Sequence, residues 1–303
     1  MSGDEVSRRG AACARAALAG NPSDGYGGAV LAVTIPALRA EAWAEPAAET
    51  LSAVDPPSEL VEATVRRFAR SFAEDAAGTG VRWRTSVPRG VGLGGSSAIV
   101  ISTLRALCGL HGVRLTAAQL ASFALEVETE ELGIAAGLQD RVAQAHGGLT
   151  FMEFGADCRY EPLPLRLLPP LLIAWRPDAA QESDDVHRSL RERFARGDGR
   201  VSQAMNELAE LARAARAAVL AGDRDRLADA VDGSFDVRRR VLTLHPRHVE
   251  MVERARLLGA SGNYTGSGGT IVACCRDERH RDEVSRGLRE GGCQTLEVQL
   301  EGE

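Results

Sequence analysis

The sequence predicts an α+β protein built in two lobes. Three observations carry this expectation. Strand-like and helix-like stretches are mixed in both halves of the chain. A Pro-rich stretch, "EPLPLRLLPP" (161–170), interrupts them near the middle and marks the expected junction between lobes 1–162 and 163–303. And 303 residues are long enough for two domains or one large one, and for a sizeable core.

Taken in order, "VRWRTSV" (81–87) alternates Val81, Trp83, Thr85 and Val87 with polar residues, as a half-buried strand does. The loop that opens "PRGVGLGGSSAIVIS" (88–102) follows, and then a helix with Ile99, Val100, Ile101, Leu104, Leu107 and Leu110. Thr116 and Gln119 have capping-box spacing at the start of "TAAQLASFALEVETEEL", where Leu120, Ala124 and Val127 form one stripe. "GGLTFMEF" (147–154) and "PPLLIAW" (169–175) read as strands. Residues 183–258 read as mostly helical, and the chain closes with strand "GTIVACC", helix "DERHRDEVSRGLREGG" and strand "QTLEVQL".

Composition excludes several classes of function. Apolar residues make up 44% and charged residues 26%, ordinary values for a soluble globular chain. A net charge of −6 argues against a general nucleic-acid binder. No apolar run approaches the roughly 20 residues that span a bilayer, and "MSGDEVSRRG" has no hydrophobic signal core. Six cysteines without a CxxC pair argue against structural zinc and for free thiols, so a cytoplasmic protein is expected. All 36 basic residues are arginine. A GK[ST] phosphate loop and a Schiff-base lysine are therefore impossible.

Four glycines and two serines stand between strand and helix at 88–97. One glycine makes a turn and one serine caps a helix; this loop exceeds both needs. Glycines ahead of a helix N-terminus expose backbone N–H groups and the positive end of the helix dipole, an arrangement suited to phosphate. Two more glycine-rich stretches, "GNPSDGYGGAVLAV" (20–33) and "GNYTGSGGTIVACC" (262–275), also precede apolar strands. Together they point to one polyanionic ligand held by several backbone edges.

These three stretches resemble, in order and spacing, the motifs of the GHMP kinase superfamily: "ARAALAGNPSDGYGG" the substrate-side motif, "PRGVGLGGSSA" the phosphate motif, and "YTGSGGTIVA" the third, glycine-rich motif. The resemblance implies an N-terminal lobe like the second domain of ribosomal protein S5 and a ferredoxin-like C-terminal lobe. It implies ATP and Mg²⁺ as cofactors, with the ATP phosphates on Gly90, Gly92, Leu93, Gly94, Gly95, Ser96 and Ser97. Family members need no GK[ST] lysine, which accounts for its absence here.

Further roles follow from the resemblance. Ser97 matches the family's Mg²⁺-binding serine. Glu126, Glu128 and Glu130 are the acidic candidates to complete that site, and Glu128 is preferred because it lies twelve residues before the expected base. Asp140, in "AGLQDRV", matches the catalytic aspartate, and Arg15 the cation near the transferred phosphoryl. Asp24, Tyr26, Gly266, Ser267 and Gly268 fall on the acceptor side. Galactose is disfavoured because Asn21-Pro22-Ser23-Asp24 lacks the acidic residue and histidine of galactokinases.

"GNPSDGYGG", "GLQDRVAQAHGGLTFMEF" and "AWRPDAAQESDDVHRSLRERFARGD" are most similar to the glucuronokinase branch, which makes a sugar-acid 1-phosphate. Arg176 and Arg191, with Arg193, are then expected to read a carboxylate. The expected partners are ATP and a sugar-like small molecule, with no nucleic acid and no membrane, in a monomer or homodimer. Rival readings are another GHMP substrate (mevalonate-type, heptose or amino acid), a diphosphomevalonate-decarboxylase-like enzyme, a catalytically silent sensor of the same fold, and a plain anion-binding protein.

Overall fold

The computed structural model describes residues 8–46, 54–179 and 184–299. Its strands are β1 (Arg9–Ala19), β2 (Ala29–Pro46), β3 (Val54–Asp55), β4 (Thr79–Thr85), β5 (Leu149–Glu153), β6 (Arg159–Leu163), β7 (Leu171–Trp175), β8 (Ser261–Tyr264), β9 (Thr270–Cys274) and β10 (Gln294–Val298). The helices are α1 (Glu59–Phe72), α2 (Gly95–His111), α3 (Ala117–Glu126), α4 (Gln139–His146), α5 (Asp184–Ala195), α6 (Gly199–Ala221), α7 (Arg224–Val241), α8 (Pro246–Leu257) and α9 (Glu278–Glu290). By packing, the chain divides into two units: residues 1–14, 36–87 and 94–146, and residues 15–35, 88–93 and 147–303. Strands β1 and β2 run through both.

In the first unit, the second half of β2 pairs antiparallel with β4, from Ala40 opposite Thr85 to Pro46 opposite Thr79. The short β3 lies parallel to β4. Helix α1 starts because the Ser58 hydroxyl accepts from the Val61 N–H, and it buries Val61, Val65, Phe68 and Ala69 on one stripe against α2. Helix α2 is apolar almost all round, with Ile101, Leu104 and Leu107 fully buried. Gly10 of β1 passes so close beneath α2 that a Cβ there would lie 2.6 Å from the Ala106 nitrogen. The expected capping box forms at Thr116 and Gln119 and begins α3.

In the second unit, the first half of β2 pairs with β5, and β5 with β6. The Pro-rich stretch is itself partly strand: Pro162 sits opposite Thr150 on the edge strand β6, where a residue lacking an N–H is tolerated. A second, antiparallel sheet runs β10-β7-β9-β8. Its strands and the helices between them give ferredoxin-like order, with α6 and α7 as an added hairpin. Leu172, Ala174, Phe235, Met251, Val252, Ile271, Val284 and Leu288 fill its core.

Candidate active site

Two clusters hold the expected residues, one in each unit. In the first, the phosphate motif enters α2 through Gly94 at φ +72°, a left-handed value that favours glycine. No side chain caps this helix start, so its first N–H groups remain available to an anion. The Gly94 carbonyl is a fastening point. It accepts from Ala98 N–H at 3.1 Å, from the Ser97 hydroxyl at 3.2 Å and from Gln144 Nε2 at 2.7 Å, tying α4 to the start of α2. Arg105 donates to the Ala11 carbonyl at 2.5 Å and to the Ala145 carbonyl at 2.9 Å, bracing the other end of α4.

Glu128 is wholly buried. It lies where α3 loosens into a wider turn at Val127–Glu131. One carboxylate oxygen accepts from the Ser96 hydroxyl at 2.7 Å, and the other takes Arg141 Nε at 2.7 Å together with Arg141 Nη2. The hydroxyl beside Glu128 therefore belongs to Ser96, whereas Ser97, the serine the sequence singled out, turns back to Gly94. Glu126, Glu130 and Glu131 face outward onto Arg67, at 2.6, 2.9 and 3.1 Å. Of the three candidate glutamates, only Glu128 points inward, which the charge pattern alone could not decide. Asp140 opens α4 with its side chain 19% exposed, 3.9 Å from Arg141 Nη1. Arg141, next to Asp140 in the chain, makes its short contacts with Glu128 and, at 2.6 Å, with the Gly137 carbonyl.

The second cluster gathers parts of all three glycine-rich stretches. Arg15 is buried, and its Nη1 donates to the Gly92 carbonyl at 2.7 Å and the Thr265 carbonyl at 2.9 Å. The backbone repeats the connection: Arg15 N–H reaches Leu93 O and Ala17 N–H reaches Thr265 O. Gly92 and Gly268 face each other so closely that a Cβ on Gly92 would lie 2.5 Å from the Gly268 carbonyl oxygen. One on Gly269 would lie 2.8 Å from the Val91 Cα. Gly90 and Gly92 have φ of +67° and +75°, so these turns favour glycine. Asn21 Nδ2 donates to Tyr264 O at 3.2 Å and Gly266 O at 3.4 Å, and its own oxygen accepts from Asn263. Gly266 O also accepts from Arg238 Nη2 at 2.6 Å, and His248 Nδ1 accepts from Gly269 N–H at 3.2 Å.

Asp24 and Tyr26 lie on the single turn Ser23–Tyr26, partly exposed. The Tyr26 ring packs on Phe194 at 4.7 Å, and burial pushes its hydroxyl pKa up against the opposing charge of Arg191. Ser267 is also partly exposed. The expected carboxylate readers are dispersed. Arg176 is held by Asp178 at 3.0 Å and by the Gly291 carbonyl at 3.0 Å. Arg193 bonds Asp198 and the Val241 carbonyl, and Arg191 is exposed on α5.

Arg238, Gln144 and the partnership of Arg141 with Glu128 were missed from sequence. Arg238 heads an Arg-Arg-Arg run (238–240) that reads as a solvated helix end. Its phase with buried Val231, Ser234 and Phe235 was the available signal.

The family model described as "GHMP kinases N terminal domain" matches residues 59–148, and "GHMP kinases C terminal" matches residues 215–292. The chain belongs to the GHMP kinase family and is an ATP-dependent phosphotransferase of that class. Among curated relatives, glucuronokinase 1 of Arabidopsis thaliana is 33% identical over 302 residues, covering 86% of this chain and 83% of that protein. The solved galactokinase of Lactococcus lactis complexed with galactose matches with a TM-score of 0.81 at 16% identity, over 96% of this chain and 92% of that one. Streptococcus pneumoniae phosphomevalonate kinase, in complex with phosphomevalonate and AMPPNP, gives 0.81 at 14% identity, over 96% and 99%. At such identities the two structures show the fold alone. Among the described residues no helix is long and apolar enough to cross a membrane.

Proposed function

We propose that this kinase transfers the γ-phosphoryl of ATP to the anomeric hydroxyl of a uronic acid, making a sugar-acid 1-phosphate. The observation that carries this reading is the near full-length similarity to a glucuronokinase, 33% identity over 86% of the chain. In support, the acceptor-side motif lacks the residues with which galactokinases hold galactose. The working enzyme is read as a cytoplasmic protein with lobes at 1–162 and 163–303, and all six cysteines are free.

Phosphoryl transfer passes through a loose transition state, so the protein's part is positioning and charge stabilisation. The uncapped N-terminus of α2 and the 90–97 backbone are assigned to the ATP phosphates. Asp140 is assigned to orient the attacking hydroxyl and take its proton late, with Arg15 as the cation at the transferred group. Asp24, Tyr26, Ser267 and the backbone at Gly266 and Gly268 are assigned to the acceptor.

The donor set also fits Mg²⁺, a hard cation often held by one or two protein oxygens plus phosphates. A hydroxyl and a carboxylate oxygen stand 2.7 Å apart at Ser96 and Glu128, with Ser97 in the same turn. Bound there, the metal would neutralise charge building on the β- and γ-phosphates. ADP release across uronic acids, neutral sugars, inositols, amino acids and mevalonate derivatives tests the assignment. Turnover with glucuronate or galacturonate above their neutral parents is the expected result. Turnover with mevalonate alone sinks the acceptor while leaving the kinase.

A further inference from the structure

Arg238 carries a charge that the described residues leave unanswered. The residue is 1% exposed, in the last turns of α7. One guanidinium nitrogen, Nη2, reaches the Gly266 carbonyl. The other two, Nε and Nη1, are sealed from solvent and have no hydrogen-bond partner among the described residues. No carboxylate among these residues pairs with it. Its nearest aromatic neighbour, Tyr264, lies under the guanidinium at 5.2 Å, and burial pushes the Tyr264 hydroxyl pKa up, so that ring stays neutral and offers no counter-charge. Arg15 adds a second positive charge nearby rather than relief, and burial draws Arg238 itself down to about 10.

A buried cation with no anion is costly, and chains keep one where an anion arrives from outside. Two anionic groups belong near this segment: phosphate, because Gly266 lies against Gly92 and Arg15, and the acceptor. Gly266, which Arg238 grips, is also gripped by Asn21, the first residue of the Asn21–Asp24 segment on the acceptor side. The ATP phosphates have their own electropositive seat in the uncapped start of α2.

We propose that Arg238 is the built-in counter-charge for the carboxylate of the acceptor. It is a positioning residue that favours an anionic acceptor through its field and through the Gly266 segment it holds. This rests on the uronic-acid reading above. Because its free nitrogens are sealed, it acts through the low-dielectric protein interior, where charge interactions are least screened.

The test uses the full chain with Arg238→Met, which keeps the bulk and removes the charge, and Arg238→Lys, which keeps the charge. For each, kcat and KM are measured with the uronic acid and with its neutral parent sugar, alongside Tm. Expected for Arg238→Met is a drop of at least tenfold in the acid-to-neutral ratio of kcat/KM, arising in the acid's KM, with no fall in Tm. Arg238→Lys should recover most of that ratio. Equal losses on both acceptors, or a loss in kcat alone, overturn the proposal and place Arg238 with the phosphates or the core. Should the Met variant not fold, Arg238→Gln, which keeps a donor for Gly266, carries the same comparison.

If the wild type turns over no uronic acid, the acceptor reading fails by itself. The same variants, measured on the acceptor it does use and on that acceptor's uncharged analogue, then decide the counter-charge. An unchanged ratio, or a natural acceptor with no anionic group, overturns it.

Discussion

Two buried arginines in this protein are treated in opposite ways. Arg141 delivers its guanidinium to the wholly buried Glu128, with a serine hydroxyl on the other carboxylate oxygen. Arg238 is equally buried but meets one backbone carbonyl and an aromatic face. The first charge is balanced when the chain folds; balance of the second is deferred to binding. A charge balanced at folding belongs to stability and to holding the Glu128 carboxylate in place. A charge left open belongs to selection of a ligand.

The sharpest test of this contrast is Asp140→Asn. With Arg141 satisfied by Glu128, Asp140 is not needed to balance it, so the variant should keep its Tm. As the proposed base it should lose roughly 10²–10⁴-fold in kcat with near-normal ATP and acceptor binding. A clear fall in Tm with turnover within a few-fold would return Asp140 to a structural role.

Next in size is Glu128→Gln. Removing one partner of a buried pair leaves the other charge stranded, at a cost of about 3–5 kcal/mol in denaturant unfolding. The double change Glu128→Met with Arg141→Met should recover much of that loss. If instead Arg238→Met costs as much as Glu128→Gln, the two arginines do the same job and the contrast collapses.

A smaller effect separates the serines. Ser96→Ala removes the hydroxyl beside Glu128 and should raise the Mg²⁺ concentration needed for half-maximal activity about fivefold, for a contact worth about 1 kcal/mol. Ser97→Ala, which removes only a bond back to Gly94, should raise it less. The reverse ranking, read from Mg²⁺ titrations of ADP release, would restore Ser97 as the metal-facing hydroxyl.

The smallest effect lies at Glu41, where a half-solvated cluster shows what ordinary pairing is worth. Burial works to raise the Glu41 pKa, but Arg9 and Arg84 outweigh it and hold the carboxyl below its usual range. A lowered folded pKa stabilises above the unfolded value, and the gain is lost as pH falls through the folded one. Glu41→Gln should therefore cost about 1–2 kcal/mol at pH 7. The difference from wild type should shrink as unfolding is repeated below the carboxylate range; a penalty constant down to pH 2 would contradict this account.

Much of the fold was legible because its signals are local. The Thr116–Gln119 box, the alternation in β4 and the glycines ahead of α2 each act within a few residues. The Pro-rich stretch was harder to place, since Pro162 fits an edge strand as well as a linker and the neighbouring β5 decides between them. In the site, glycines and acids announced themselves by spacing, but their partners did not. Ser96 or Ser97 beside Glu128 depends on the phase of one helical turn. Arg141 could pair with its neighbour Asp140 or with Glu128 thirteen positions earlier, and only packing chooses. Arg238 was hidden by two arginines that follow it and remain outside.

The contact between Gly92 and Gly268 has a consequence for anyone redesigning this enzyme. Two backbones 176 positions apart share a space with no room for a single methyl group. A side chain at Gly92 meets the Gly268 main chain, and one at Gly268 is strained by its φ of +145° and crowds His248, so randomising one loop while fixing the other is expected to lose most clones. The segments 91–93 and 265–269 behave as one part and should be left intact or exchanged together from a single donor. Diversity is better spent on Asp24, Tyr26 and Arg191, which face solvent at least in part.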